Sequence, residues 1–315
     1  MTGSVRSDPH SSYHFLLIPI LFLLTLNLFV FLPSMKGGFL WDDRYFISEN
    51  QDILSRGFLK RFLVSPFGGA EGLDENSPLA GPSRQFYRPL TSFSYWLAFK
   101  IWGLNPAAFH LTNILLHLLN SILLFVLLLR FGAGRTASFS GALLFSVFPV
   151  HFESVSWISG RTDLLSFLFA ALSLLFFLGF LEKKGGLRLI VSSLFFLAAL
   201  LAKENVILLP LLLLLVLCWR RRTAKEVLLL LLPFGIVFVI WVILRFNALR
   251  QSEFLFSGRT LADFLGTLGF YAWKTILPFD LSVTINPSSV LKCPAYRVFG
   301  LVLMAFLTVS ILASF

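Results

Sequence analysis

The chain has 315 residues, of which 57% are hydrophobic and only 13% are charged, and its mean hydropathy is +0.83. Soluble domains carry about 25% charged residues, so this composition excludes a soluble globular protein and predicts a membrane protein. The formal net charge is +10, but Lys and Arg are scattered among loops without a basic module interleaved with aromatic residues. Nucleic acid is therefore not a predicted partner.

Eight apolar runs predict an all-α polytopic membrane protein with about eight transmembrane helices. In chain order, the runs are residues 15–32, 109–129, 136–150, 164–181, 187–202, 206–219, 227–244 and 298–315. The first run is longer than the apolar core of about 7 to 15 residues in a secretory signal, and no small-residue cleavage site follows it, so we expect an uncleaved span. The fifth and sixth runs are shorter than the roughly 20 residues that cross a bilayer. They are either two short spans or one interrupted hairpin.

The breaks between the runs alternate in charge. One set is short and basic, with Arg130 and Arg135 in the first break, Lys183 and Arg188 in the second, and residues 220–225 in the third. Short basic loops are retained in the cytoplasm. We therefore expect residues 36–108, 151–163, 203–205 and 245–297 on the opposite side, facing the periplasm or exterior of a bacterial inner membrane, or the lumen in a eukaryote.

The first external loop, residues 36–108, contains turn signals and helical apolar spacing, which a linker would lack. It begins with Trp41-Asp42-Asp43, and residues 68–70 and 76–82 have turn composition. Apolar residues at helical spacing predict amphipathic helices over 52–64 and 87–102, lying at the membrane surface, and a third over 263–277.

Ionisable residues gather in the non-cytoplasmic breaks. Charged groups at a bilayer boundary are costly to desolvate, which makes them functional candidates. The candidates are Asp42, Asp43, Arg88, His151, Glu153, Arg161, Asp163, Lys203, Glu204 and Arg245.

Several motifs follow one another in an order that carries a family resemblance. They are Trp41-Asp42-Asp43, Tyr87-Arg88-Pro89-Leu90-Thr91, Gly103-Leu104-Asn105-Pro106, His110-Leu111-Thr112-Asn113, His151-Phe152-Glu153-Ser154-Val155, Gly160-Arg161-Thr162-Asp163-Leu164-Leu165, Lys203-Glu204 and Leu277-Pro278-Phe279-Asp280-Leu281-Ser282. The chain resembles the membrane portion of the transmembrane and tetratricopeptide-repeat O-mannosyltransferases and their bacterial relatives, of the glycosyltransferase C superfamily. The resemblance implies a single glycosyltransferase C-like membrane domain over 1–315.

The sequence departs from this family in one respect. No 34-residue helical repeat is visible in the sequence, so tetratricopeptide repeats are not predicted within it. The sequence also stops inside an apolar run, and we expect a truncated product, a fragment or a short relative.

The resemblance further implies a sugar donor carried on a polyprenyl phosphate and catalytic carboxylates in the first external loop. Transfer of that sugar to a hydroxyl needs a base for the acceptor proton, whereas the phosphate leaving group needs nearby cations more than an acid. Asp42 and Asp43 are the predicted base, with one acting and the other supporting. The alternative is a carboxylate that caps a helix over 44–53. The implied sugar is a hexose such as mannose, the implied acceptor a protein or glycan hydroxyl, and the implied stereochemistry inverting.

The remaining candidates surround this base in our prediction. Arg161 and Lys203 hold the phosphate, and the residues that shape the site are Arg88, His151, Glu153, Asp163, Glu204 and Arg245. Glu153 or Asp163 is expected to orient Arg161; alternatively, Lys203 and Glu204 neutralise each other at a helix end. The spacing of His151 and Glu153 supplies too few ligands for a dedicated metal site, so no cofactor is predicted, and a divalent cation is left open.

Four polar residues share one face of the second span at helical spacing. They are His110, Asn113, His117 and Asn120. Such a stripe predicts interhelical hydrogen bonds more than a ligand cluster.

Two other functions compete with the enzyme. A transporter or flippase for a lipid-linked sugar would also need polar groups around a headgroup, and a truncated chain could serve as a non-catalytic membrane scaffold. The unusual polar residues lie at one interface rather than at span centres, which favours a one-sided enzyme.

Overall fold

The computed structural model describes residues 9–55, 57–67, 86–183, 185–249, 261–277 and 293–312. The α-helices are α1 (Pro9–Phe31), α2 (Gln51–Leu54), α3 (Phe58–Arg61), α4 (Pro89–Trp102), α5 (Pro106–Arg130), α6 (Arg135–Val147), α7 (His151–Ser156), α8 (Arg161–Lys183), α9 (Gly186–Ala202), α10 (Leu209–Trp219), α11 (Ala224–Ala248), α12 (Leu261–Ile276) and α13 (Pro294–Leu312). The part of the chain that the structure describes contains no strand, which confirms the predicted all-α class.

The chain divides into two compact units, residues 1–206 and 207–315. The first unit contains α1 to α9, and the second contains α10 to α13. Within the second unit, α10 contacts α11 and α12 contacts α13. The single membrane domain expected from the resemblance stays a prediction.

Local sequence explains where the helices of the first unit begin and end. Pro89 and Pro106 occupy the first turns of α4 and α5, where the missing N–H costs nothing. The side chain of Asn105 accepts a hydrogen bond from the Ala107 N–H at 3.1 Å and so caps α5. Helix α4 stops at Gly103, whose φ of +62° lies in the region that favours glycine.

Helices of the first unit alternate in direction, as the predicted topology requires. Arg130, at the end of α5, pairs with Glu182 near the end of α8, with 2.8 Å between Nη1 and Oε2. At the opposite end, the Lys203 Nζ after α9 lies 2.6 Å from an Asp163 oxygen in the first turn of α8. The basic breaks after α5 and α8 therefore lie at one end of this unit, and the polar breaks lie at the other.

Within the part of the chain that the structure describes, four helical segments are long and apolar enough to cross a membrane. They are Leu17–Lys36, Pro106–Arg130, Ile158–Lys183 and Ala224–Ala248. Shorter apolar helices are Gly186–Ala202, Glu204–Trp219 and Pro294–Ala305. The predicted count of eight spans is not confirmed, because α6 has 13 residues, a length of about 20 Å, against a hydrocarbon core of about 30 Å.

The first loop differs from prediction in one element. The helix expected over 52–64 is two short helices, α2 and α3, because Ser55 is extended at ψ 156° and its hydroxyl bonds the Asp52 carbonyl at 2.9 Å. The helix expected over 87–102 is confirmed as α4, and that over 263–277 as α12. The predicted turns at 68–70 and 76–82 lie outside the described residues.

An aromatic core fixes the first loop onto the bundle. The buried side chains of Phe46, Phe58 and Phe67 pack in one cluster with Tyr95 of α4 and Phe109 of α5. Full burial of such a ring contributes about 1.5–3 kcal/mol. The loop that carries the two aspartates is thus held by packing on α4 and α5.

Candidate active site

Asp43 is buried and its carboxylate is fully engaged. Oδ1 accepts hydrogen bonds from the Ser159 N–H at 2.8 Å and from the Ser159 hydroxyl at 2.6 Å. Oδ2 accepts from the Leu40 N–H at 3.0 Å. Burial raises the pKa of Asp43 more than these hydrogen bonds lower it. We name this arrangement the Asp43–Ser159 latch, since it joins residues 116 positions apart.

The capping alternative is wrong for Asp43, and for Asp42 it stays a prediction. Residues Arg44–Ser48 form one π-helical turn, and the Asp43 side chain at its start makes no capping hydrogen bond. The physical reason is that both of its oxygens are already taken by Ser159 and Leu40.

Asp42 differs from its neighbour. Its side chain is half-buried, and no donor among the described residues contacts its carboxylate. Burial raises the pKa of Asp42. Trp41, which precedes it, has a φ of 45° and an exposed ring that meets Trp157 edge-on at 6.4 Å. Non-glycine residues in this backbone region are uncommon and concentrate at functional sites.

Arg161 lies in the interior, with a side chain that is 0% exposed. Its Nε donates to the Asn113 Oδ1 at 2.8 Å, and its two terminal nitrogens donate to the Phe109 carbonyl at 3.0 Å and the Ser94 carbonyl at 3.3 Å. The rings of Tyr95 and Phe109 lie 4.9 and 5.3 Å from its guanidinium carbon. Arg161 thus ties α8 to α4 and α5.

Two ion pairs bring the end of α9 to the starts of α4 and α8. Arg88 contacts Glu204 through Nη2 at 2.7 Å and Nε at 3.1 Å, a bidentate pair. Lys203 contacts Asp163 at 2.6 Å. Lys203 and Glu204 therefore have separate partners rather than neutralising each other, and Asp163 pairs with Lys203 rather than orienting Arg161.

Tyr95 lies between these groups. Its hydroxyl donates to the Ile158 carbonyl at 3.4 Å. Burial raises the pKa of Tyr95, while the charge of Arg161 lowers it and that of Asp43 raises it. The Tyr95 hydroxyl therefore lies close to both the Asp43–Ser159 latch and the buried Arg161 guanidinium.

His151 and Glu153 lie on the short helix α7, which precedes Ser159 in the chain. The His151 ring packs 4.3 Å from the Phe145 ring, and its burial lowers the pKa of the imidazole, against a smaller opposite effect of Asp163. Glu153 is exposed and has no ion-pair partner among the described residues.

Arg245 lies in the second unit, where its guanidinium sits 5.4 Å from the Trp241 ring. Its predicted part in the site stays a prediction. Residues 278–282 of the last motif lie outside the described residues.

Three of the four residues in the polar stripe of α5 make the hydrogen bonds to other helices or turns predicted for them. His117 Nε2 lies 3.0 Å from the Ser146 carbonyl, and the Asn120 Nδ2 donates to the Leu164 carbonyl at 2.9 Å. Asn113 donates to carbonyls of the turn before α8.

Sequence reasoning missed Ser159 and Tyr95. A serine in a short turn and a tyrosine on an amphipathic helix carry no signal of their own, because their partners come from other helices. Among the described residues, no group of three or more His, Cys, Asp or Glu side chains could hold a metal ion.

Comparisons with known proteins agree with this architecture. A family model described as dolichyl-phosphate-mannose-protein mannosyltransferase matches residues 83–245, more than half of the chain. These residues include the latch serine, Arg161 and both ion pairs. No solved structure matches the chain.

Curated relatives are also named as mannosyltransferases. Protein O-mannosyl-transferase TMTC1 of Homo sapiens is 34% identical over 150 residues, 47% of this chain and 16% of that protein. TMTC3 of Mus musculus is 32% identical over 152 residues, 48% of this chain and 15% of that protein. Protein O-mannosyl-transferase F38B6.6 of Caenorhabditis elegans is 29% identical over 159 residues, 50% of this chain and 22% of that protein.

The aligned segments thus span about a fifth or less of the length of these relatives. The family model's match to more than half of the chain, on an all-helical membrane architecture, shows that the chain belongs to the dolichyl-phosphate-mannose-protein mannosyltransferase family of glycosyltransferases.

Proposed function

We propose that this chain forms the membrane active site of a transferase that moves a hexose from a polyprenyl phosphate to a hydroxyl acceptor. The observation that carries the proposal is the contrast between two adjacent carboxylates. Both carboxylate oxygens of Asp43 accept hydrogen bonds. Asp42 is half-buried, and no described residue donates a hydrogen bond to its carboxylate.

Asp42 is the general base in this proposal. The acceptor oxygen attacks the anomeric carbon, its proton passes to the Asp42 carboxylate, and the bond from that carbon to the phosphate oxygen breaks with its electron pair on the phosphate. The raised pKa of Asp42 supports the role, because a base is more effective when its pKa approaches the working pH. Attack opposite the leaving group inverts the anomeric carbon, as the resemblance implies.

Lys203 is the proposed phosphate contact. An ammonium has three donors, and one of them meets Asp163 at 2.6 Å with the Lys203 side chain 25% exposed. The other two donors are available to a phosphate, where a cation stabilises the charge that develops as the sugar leaves.

Arg161 and Arg88 have framework roles in this proposal. A phosphate that bound Arg161 would have to displace its three protein acceptors, so the phosphate role predicted from sequence moves to Lys203. Arg88 braces α4 against the end of α9 through Glu204. His151 and Glu153 keep their predicted roles in shaping the site.

The relatives support a choice of sugar and acceptor. Their names describe protein O-mannosyl-transferases, which supports mannose as the hexose and a protein Ser or Thr hydroxyl as the acceptor. The basic breaks after α5 and α8 lie at the end of the first unit opposite the latch, which supports a site on the non-cytoplasmic face.

The test is transfer by purified protein in proteoliposomes, with radiolabelled polyprenyl-phosphate mannose and a Ser/Thr peptide. Asp42→Asn should lower turnover by about 10²-fold or more while donor binding persists, the usual range for a lost general base. A control variant, Glu49→Gln, changes another exposed carboxyl of the same loop and should keep full turnover. Full transfer by Asp42→Asn would contradict the proposal, and movement of intact donor lipid across the bilayer without acceptor would favour a transporter.

A further inference from the structure

A buried amide fixes the turn that precedes α8. Asn113 of α5 is 0% exposed, and its Nδ2 donates to the carbonyls of Trp157 at 3.0 Å and Ile158 at 3.2 Å. Its Oδ1 accepts from Arg161 Nε at 2.8 Å. One side chain therefore uses its donors and its acceptor on both ends of residues 157–161, which only an amide of this length can do.

The same turn presents two donors on its other side. The Ser159 N–H and hydroxyl both donate to Asp43 Oδ1, and Ser159 is 6% exposed. Gly160 makes the turn possible, since a Cβ at this position would lie 2.7 Å from the Ser154 Cα and carbonyl oxygen. The turn therefore connects α5 to the first loop, through Asn113 on one side and Asp43 on the other.

Asp42 depends on this chain of contacts for its own position. No described residue donates a hydrogen bond to its carboxylate, whereas its neighbour Asp43, about 3.8 Å away along the backbone, is held by three. A misplacement of about 1 Å in a reacting group costs about 10²-fold in rate.

We infer that Asn113 and Ser159 are positioning residues for the transfer reaction, which set the Asp42 carboxylate through the Asp43–Ser159 latch. The inference rests on the proposed role of Asp42 as the base. Neither residue touches the substrate; each acts through backbone and carboxylate contacts that end one residue from the base.

Asn120 separates this role from general stability. It is 1% exposed on the same helix, and its Nδ2 donates to the Leu164 carbonyl of α8 at 2.9 Å. It lies seven residues, or about 10 Å along the helix axis, from Asn113. It therefore makes the same kind of amide-to-carbonyl hydrogen bond, but to α8 itself and not to the turn.

The experiment compares full-length variants in proteoliposomes with saturating acceptor. Asn113→Leu and Ser159→Ala should lower kcat about tenfold or more with the donor KM within about twofold, since the base moves while the donor contacts remain. Ser159→Thr should recover most of kcat because it keeps the hydroxyl. Asn120→Leu should keep kcat within about threefold.

Hydrogen exchange gives a second measurement that does not need activity. Leu40 donates its backbone N–H to Asp43, so opening the latch should speed exchange in residues 38–46 of Ser159→Ala and Asn113→Leu, but not of Asn120→Leu. Equal kcat and equal exchange in Asn113→Leu and Asn120→Leu would overturn the positioning role even where Asp42→Asn abolishes transfer. Full transfer by Asp42→Asn would show that Asp42 is not the base. The positioning role would then also be wrong, whatever the exchange rates are.

Discussion

The two ends of the first unit carry charge in different ways. At the basic end, Arg130 and Glu182 pair at 2.8 Å with side chains 45% and 39% exposed. At the latch end, Asp43 and Arg161 are 1% and 0% exposed. Each oxygen of the Asp43 carboxylate and each nitrogen of the Arg161 guanidinium has a protein hydrogen-bond partner. Charge alone therefore does not identify a site here; burial together with long-range partners does.

The free-energy cost of losing an interaction also differs between the two ends. An exposed ion pair contributes about 0–1 kcal/mol, whereas a buried polar group that loses its partner costs about 1–3 kcal/mol. Single substitutions at the latch end should therefore have larger effects than substitutions at the basic end.

The largest effect on stability is expected for Arg161→Met. It removes the donor to Asn113 and the donors to two backbone carbonyls, a loss of about 3 kcal/mol, or roughly 10 °C in the unfolding midpoint in detergent. Arg188→Met is the control, because Arg188 donates to one carbonyl, that of Gly179, at 2.8 Å, and should shift the midpoint less. A variant with unchanged stability and lost donor binding would restore the phosphate role to Arg161.

A smaller effect, on binding, is expected for Lys203→Ala. Loss of one charge-assisted hydrogen bond of about 1.5 kcal/mol should raise the donor KM about tenfold, with the protein still folded. Asp163→Asn, which removes only the partner of Lys203, should leave the donor KM unchanged or lower it. An unchanged donor KM in Lys203→Ala would place the phosphate elsewhere.

The pH dependence should show the environment of Asp42. Burial disfavours its charged form, so its proton is held to a pH above the ordinary value of about 4, and the base is lost as pH falls through that raised pKa. The rate at saturating donor should therefore fall on the acid side with the slope of one proton. The residual rate of Asp42→Asn should lack this acid limb; a limb that persists would belong to another group.

The smallest effect is expected at the basic end. Arg130→Ala breaks an exposed pair and should change the unfolding midpoint by about 2 °C or less and leave turnover unaltered. A loss of turnover with this variant would remove the distinction between the two ends.

Much of the architecture could be predicted from sequence because its causes are local. Apolar runs and short basic breaks predicted membrane helices that alternate in direction, and the ion pairs Arg130–Glu182 and Asp163–Lys203 fit that alternation. The stripe on α5 predicted interhelical bonds because helical spacing alone places its members on one face. The break between α2 and α3 was missed, since apolar spacing outweighed the extended Ser55 in the prediction.

The site required the tertiary structure for a different reason. Sequence identified Asp42 and Asp43 as a pair but gave no means to tell them apart, because what separates them is Ser159, 116 residues from Asp43. Arg161 follows a glycine at a predicted interface, yet in the folded chain it lies among Asn113, Phe109 and Ser94. Which carboxylate is held by hydrogen bonds and which cation is buried depends on the neighbours that packing supplies.

By itself, then, the sequence determined the membrane class, the order of the apolar helices and the set of ionisable residues at one boundary. Those are properties of hydrophobicity and charge along the chain, which need no knowledge of partners. Only the tertiary structure decided the pairings of Arg88 with Glu204 and Lys203 with Asp163, and the latch that holds Asp43 while no described residue donates to Asp42. Hydrogen bonds are short and directional, so they are fixed by the packing of helices far apart in sequence.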